Sequence, residues 1–328
     1  MVYNILEKVG DLMFKKIFLS VVIICAMVAI LLSFKSMNNK NEESEFLSNS
    51  PVIAVVNIFG TVMGGEGTEN PFSQTNAALS GTVMKEIRKA SNDPNVKALI
   101  IRLNTPGGSV TAAEEISREI NRFKEKTHKP VIAAMGDTAA SAGYWLAAHA
   151  DKIYANNTTL TGSIGVYMPY MNFNGIYDKI GLKTKKIKSG KFKDIMSPDR
   201  PMTKEEEQLL QNMVDEMYEQ FVDVIVEGRH MPREKVLELA DGRVYTGRQA
   251  KKLGLVDDIG NYYDVLDATA KMVGIKGEPK VKTYTGTTWK SLFSVQGISN
   301  VIVGEITKAV GEVLTTKGSE LQTRSAQS

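Results

Sequence analysis

A chain of 328 residues with 43% hydrophobic and 23% charged residues is too apolar to be disordered and too polar for a multi-span membrane protein, and its length fits one large α/β domain with appendages. Forty Lys+Arg against 37 Asp+Glu leave a formal charge of +3, too even a balance for a nucleic-acid binder. The single cysteine, Cys25, excludes an intrachain disulfide, and His128, His149 and His230 share no i,i+4 spacing, so neither a metal nor another cofactor is expected.

The first candidate element spans a membrane. Ile17 to Phe34 reads IFLSVVIICAMVAILLSF, without a charge, and as a helix it would be about 27 Å long against a hydrocarbon thickness of ~30 Å. A cleaved signal peptide is the rival reading. The run is longer than an ordinary h-region and no A-x-A-like site follows it in SFKSMNNKNEESE, so residues 15–36 are read as an uncleaved anchor with membrane lipid as its partner. Lys8, Lys15 and Lys16 precede the span while Lys35 and Lys40 follow it, which puts the short segment 1–14 in the cytoplasm and the body outside. Residues 37–50 are polar and aperiodic, a linker. The main domain is read as 51–290, and 291–328 as a C-terminal segment with a loose tail.

Three β-branched runs, Val52 to Ile58, Val96 to Leu103 and Val131 to Met135, do not alternate, as suits strands buried on both faces. Helical periods lie between them, at Asn76 to Ala90 and at Thr111 to Lys126 with Ala113, Ile116, Ile120 and Phe123 on one face. The order βαβαβ predicts a parallel sheet with right-handed crossovers. Ser141 to Ala150 reads as another helix, Ile153 to Ala155 as a short strand, and Thr161 to Gly165 as irregular. Thr203 with Glu206 forms a capping box for a helix whose Leu210, Met213, Val214, Met217, Phe221, Val224 and Ile225 recur at i,i+3/i+4 spacing, predicting one buried face with its methionines in the core. Shorter helices are predicted at Arg233 to Ala240 and Tyr262 to Met272.

Two turns could carry chemistry. The second strand runs into Asn104-Thr105-Pro106-Gly107-Gly108-Ser109 before a helix. Paired glycines there can aim backbone N–H groups at a developing oxyanion, or they form an ordinary turn with Ser109 as N-cap. The third strand is followed by Ala139-Ala140-Ser141-Ala142-Gly143-Tyr144-Trp145. Ser141 there is a candidate nucleophile at a helix start with little bulk around it, although small residues equally serve close helix packing.

A serine hydroxyl needs a base. His149 lies two helical turns from Ser141, roughly 12 Å. His128 sits at the far end of the sheet, and His230 follows a surface-like turn but is not excluded by spacing. Lysine is the other option: Lys183, Lys185, Lys186, Lys188, Lys191 and Lys193 crowd LKTKKIKSGKFKD, where mutual repulsion disfavours one of the charges. A solvated basic strand is the plain alternative.

Taken together and in order, NTPGGSV at 104–110, AASAGYW at 139–145, TGSIGV at 161–166, GKFKDIMSP at 190–198 and DGRVYTGRQAKKLGLVD at 241–257 resemble the short form of the signal peptide peptidase A family, membrane-anchored Ser-Lys serine peptidases of the ClpP/crotonase-like fold. The resemblance covers roughly Pro51 to Met272 and includes the anchor. It implies Ser141 as nucleophile, Lys193 as general base, the Gly108 N–H as oxyanion donor helped by Gly107, and Ser163 as the residue orienting the lysine amine. Lys191 is the nearest rival to Lys193. Thr105 stands where many members have Ser, a departure expected to matter little because contacts there should be through the backbone.

The family's long form is duplicated, with serine and lysine of one site in different halves. This short chain therefore implies a homo-oligomeric ring in which Lys193 of one copy serves Ser141 of the next. The implied activity is endopeptidase cleavage of remnant signal peptides on the extracytoplasmic side of the cell membrane, with peptides and no nucleic acid as partners. The alternatives are a membrane peptidase acting mainly on other peptides, an acyl-CoA enzyme of the same fold, and a catalytically silent scaffold.

Overall fold

The computed structural model describes residues 50–67 and 77–284. The anchor expected at 15–36, with Cys25, the linker as far as 49 and the segment 291–328 lie outside the described residues. No helix among the described residues is long and apolar enough to cross a membrane.

In chain order, β1 (Val52–Phe59), β2 (Thr61–Met63) and β3 (Ala77–Leu79) precede α1 (Ser80–Asn92). Then come β4 (Val96–Thr105), α2 (Val110–Thr127), β5 (Val131–Ala140), α3 (Ala142–Ala148), β6 (Lys152–Ala155) and β7 (Leu160–Gly162). After them follow α4 (Asn174–Lys179), α5 (Lys204–Arg229), α6 (Arg233–Leu239), β8 (Val244–Thr246), α7 (Gly247–Leu253), β9 (Asp258–Ile259), α8 (Tyr262–Met272) and β10 (Lys280–Thr283). Residues 51–285 form one unit.

The main sheet runs β10-β1-β4-β5-β6-β9, and every pairing along that path is parallel. The fold is thus mixed α/β with a parallel-dominated sheet. Both faces are covered, which is why the strands read as continuous apolar runs. Val52, Ala54, Val56 and Ile58 of β1 enter the larger core with Ile87 of α1, Ile116 and Phe123 of α2 and Tyr144 of α3. Ile53 and Val55 point the other way, onto Val265, Leu266 and Ala270 of α8. Beyond β6 the sheet splays: the end of β5 pairs instead with β7, and β8 adds to β7 antiparallel.

Three expectations change. The helix expected from Asn76 begins at Ser80, because Ala77–Leu79 pairs with β2. Part of the stretch expected to be irregular, Thr161 and Gly162, belongs to β7. In α5 the capping box is present, with Glu206 N–H donating to Thr203 Oγ1 at 3.2 Å and Thr203 N–H to Glu206 Oε2 at 2.9 Å. Of its apolar series, however, only Phe221 and Ile225 are buried, and Met213 is 44% exposed. The helix packs by its C-terminal end, where Phe221 meets Trp145 at a ring separation of 5.1 Å, and its N-terminal part stands clear of the core.

Candidate active site

Ser141 joins β5 to α3 at φ 53° and ψ −122°. A non-glycine residue there costs on the order of 1–3 kcal/mol, and the surroundings hold it in place. Its N–H donates to Gly162 O at 2.8 Å, while its carbonyl accepts from Tyr144 N (2.8 Å) and Trp145 N (3.0 Å). Its side chain makes no capping bond to α3. The hydroxyl has no hydrogen bond among the described residues and lines a cleft. The small residues around it also serve packing, since a Cβ on Gly143 would stand 2.7 Å from Thr105 Cγ2. The packing reading of this motif therefore holds, and the position leaves room for the other.

At the paired glycines the turn with its helix cap is present. Ser109 is the N-cap of α2, accepting from Ala112 N at 3.2 Å. Gly108 forms a parallel bridge with Val62 of β2, in which Val62 N donates to Gly107 O (2.9 Å) and Ser109 N to Val62 O (2.8 Å). Bonds on either side of Gly108 turn its own N–H away from β2. The backbones touch so closely that a Cβ on Gly108 would lie 2.1 Å from Val62 O. The Gly107 N–H donates to the hydroxyl of the buried Thr105 at 3.1 Å. Gly107 leaves room beside Ser141, and Thr105 makes a contact here through its side chain.

A cleft of about 930 Å³ collects Gly108, Ser141 and Ser163. Ser163 has φ 50° and is pinned by its N–H to Arg243 O at 2.8 Å. Tyr218, Asp215 and Val214 of α5 line the far wall, residues that the sequence pattern assigned only to a core-packing helix. Their i,i+3/i+4 spacing was visible, but which wall they would form depends on where α5 crosses α3.

The histidines stand elsewhere. His128 and His230 are left-handed C-caps of α2 and α5. His149 follows α3, and burial, reinforced by Lys124, pushes its pKa down to about 4. It lines a different hollow, beside Lys124 and Asp151.

Lys193 is exposed, in the turn that follows Gly190. It does not line the Ser141 cleft, and its amine has no hydrogen bond or ion pair among the described residues. Its neighbours are committed: Lys191 pairs with Glu205, Lys186 with Asp199, and Lys188 with Asp194 at 2.5 Å. Arg200 fastens this arm to the start of α5 by holding Asp194 (3.0 Å) and Glu206 (2.5 Å). Hydrogen bonds from Arg200 and then Lys188 hold the Asp194 carboxyl far below the usual range. Arg200 and the Thr203 backbone bring Glu206 down to about 2.

A strained strand-to-helix serine whose hydroxyl has no hydrogen bond among the described residues, in one cleft with a glycine N–H turned away from β2, is an arrangement suited to serine hydrolysis. The model of peptidase family S49 matches residues 123–276, and that of the NfeD1b N-terminal domain matches residues 72–172. A candidate protease of Methanocaldococcus jannaschii is 39% identical over 222 residues, 68% of this chain and 70% of that one. A candidate signal peptide peptidase, SppA, of Enterococcus faecium is 38% identical over 240 residues, 73% of this chain and 69% of that one. Protease 4 of Haemophilus influenzae is 34% identical over 250 residues, 76% of this chain but 39% of its own length. The chain belongs to peptidase family S49 and is a serine peptidase, a hydrolase acting on peptides.

Proposed function

We propose that this chain is a membrane-anchored endopeptidase of the ClpP/crotonase-like fold that degrades remnant signal peptides, with Ser141 as nucleophile and Lys193 of a neighbouring copy as general base. The observation that carries the reading is the separation of the two groups. Among the described residues Ser141 offers an uncommitted hydroxyl in a cleft, while Lys193 carries the amine of GKFKD that has no partner there and lies outside that cleft. A second copy brings them together.

In this scheme the neighbour's amine takes the Ser141 proton as Oγ attacks the scissile carbonyl. The Gly108 N–H and the Ala142 N–H at the first turn of α3 receive the oxyanion. The lysine then gives its proton to the leaving amine, and the acyl-enzyme is released by a water that the lysine activates. Ser163, fixed in the same cleft, orients the incoming amine. The anchor at 15–36 keeps the body at the outer face of the cell membrane, where processed signal peptides remain embedded, and the name of the Enterococcus faecium relative accords with that substrate.

The test is mass spectrometry of peptides released from synthetic remnant signal peptides, beside fluorophosphonate labelling. Cuts within apolar segments and a label on Ser141 are expected. Absence of label from a folded, peptide-cleaving enzyme overturns the nucleophile assignment. A second reading, cleavage mainly of other peptides, is favoured by Asp215 in the cleft wall, a carboxylate suited to a basic side chain. The same spectra separate the two, since that reading predicts cuts beside Lys or Arg.

A further inference from the structure

Between β4 and β5 the register slips. Leu103 pairs with Met135 and Thr105 with Ala139, so β5 advances four positions while β4 advances two. The extra length is a bulge at Gly136–Thr138, held by Thr138 N–H donating to Asn104 Oδ1 at 3.1 Å. Bulges of this kind end regular pairing and re-aim side chains. Beside this one lies a cavity of about 320 Å³ under the start of α8, at the carboxyl ends of parallel strands, where open α/β sheets bind ligands. It shares no lining residue with the Ser141 cleft.

Two charged side chains line it, Arg102 from β4 and Asp137 from the bulge. They do not pair with each other, and neither has a hydrogen bond or ion pair among the described residues. Arg102 is nonetheless fixed: its guanidinium carbon stands 4.3 Å from the Tyr262 ring centroid and 5.7 Å from that of Phe59. Stacking of this kind occupies the guanidinium face and leaves its N–H edge free for two parallel bonds to a carboxylate. Met135, Tyr263 and Val265 supply apolar wall.

We propose that this cavity binds a small zwitterion of the amino-acid class, a free amino acid or a dipeptide, with its carboxylate on Arg102 and its ammonium at Asp137. A simple anion would meet the Asp137 charge and a simple cation that of Arg102. Only a ligand carrying both satisfies the pair, and the apolar wall suits an aliphatic or aromatic side chain. Such molecules are what peptide hydrolysis ends in, so the site reads product class on the strand that leads into Ser141. The proposal stands apart from the Ser141–Lys193 scheme.

The test is calorimetric titration of the full-length protein with L-leucine and with L-leucyl-L-leucine, which separates the free amino acid from the dipeptide. N-acetyl-leucine, without the ammonium, and leucinamide, without the carboxylate, are the controls. Saturable binding of at least one zwitterion is expected, weakened about tenfold or more by either block and by Arg102→Gln or Asp137→Asn. No saturable binding by either zwitterion overturns the proposal, as do equal binding of the blocked forms or binding unchanged in both variants. Should Arg102→Gln fail to fold, Asp137→Asn decides, because that side chain is exposed and bonded to nothing among the described residues. Unaltered binding in that variant is fatal to the idea.

Discussion

Gly107 faces Ser141 so closely that a Cβ placed on it would lie 2.7 Å from the serine Cβ and 3.0 Å from Ala140 O. The glycine also sits at φ 109°, where a side chain is strained. Serine can occupy its positive-φ junction only because nothing projects from this turn. Gly107→Ala is expected to displace the hydroxyl by a fraction of an ångström to an ångström and to lower kcat by roughly 100-fold. A melting curve should show the domain still folded. Full activity in that variant would mean the hydroxyl tolerates displacement and is not the attacking group.

Ser141→Ala and Lys193→Ala are each expected to cut turnover by about a thousandfold or more, since each removes half of the proposed pair. Lys191→Ala is expected to leave activity within a few-fold, because Glu205 already engages that amine in an ion pair. Steady-state assays on one peptide suffice. An essential Lys191 with a dispensable Lys193 would reverse the assignment of the base.

Arg200 never touches the cleft, yet it ties Asp194, the residue after Lys193, to Glu206 at the start of α5. Arg200→Ala is expected to free the arm and reduce kcat about tenfold or more with the catalytic groups intact. Trypsin should then cut between residues 183 and 193 faster than in the wild type. Unchanged nicking alongside lost activity would show that Arg200 acts on something other than the arm.

Much of this was readable because the physics is local. Val52, Val96 and Val131 each open a strand where the apolar run began, and Thr203 and Ser109 cap helices through bonds that their own side chains make. What escaped depends on distant partners. β5 continues past Met135 through Gly136 and Asp137, poor strand formers that persist because Asn104 holds the bulge. β7 exists because Ala139 and Tyr245 flank Thr161. Met213 obeys the helical period of a buried face but reaches no core, since only the far end of α5 meets α3. At the site, the local pattern made Ser141 and the glycine pair candidates, and only the family resemblance assigned them roles. The role of the Thr105 hydroxyl and the wall formed by Tyr218 required the fold.

Two buried titratable groups give stability opposite slopes with pH. Burial, opposed by Lys89, raises the Glu86 pKa from 4.5 to about 7. The unfolded chain therefore releases that proton first, and stability falls as pH rises through this window. His149, lowered from 6.5 to about 4, does the reverse: the unfolded chain takes up its proton first as pH drops, so stability rises with pH from about 4 to 6.5. Glu86→Gln should leave only the rising slope and stabilise the protein at pH 8 by on the order of 1 kcal/mol, or about 2–4 °C in Tm. Urea melts at pH 5 and pH 8 test this. A variant that loses stability at pH 8 would show the carboxylate to be satisfied there.

The proposed sharing of the site between copies has a consequence that no single-chain site can produce. If Lys193 acts across an interface, mixed assemblies of Ser141→Ala and Lys193→Ala subunits contain junctions where an intact serine meets an intact lysine. With equal amounts and random assembly, about one junction in four carries both, so recovery toward roughly a quarter of wild-type activity is expected if junctions act independently. Co-expression is the way to mix them, because assemblies formed separately and unable to exchange would give a false negative. Were both residues supplied by one chain, each subunit would stay defective in every mixture. Native mass spectra proving mixed composition, beside a peptidase assay at background, would refute the shared site while leaving the serine and lysine chemistry standing.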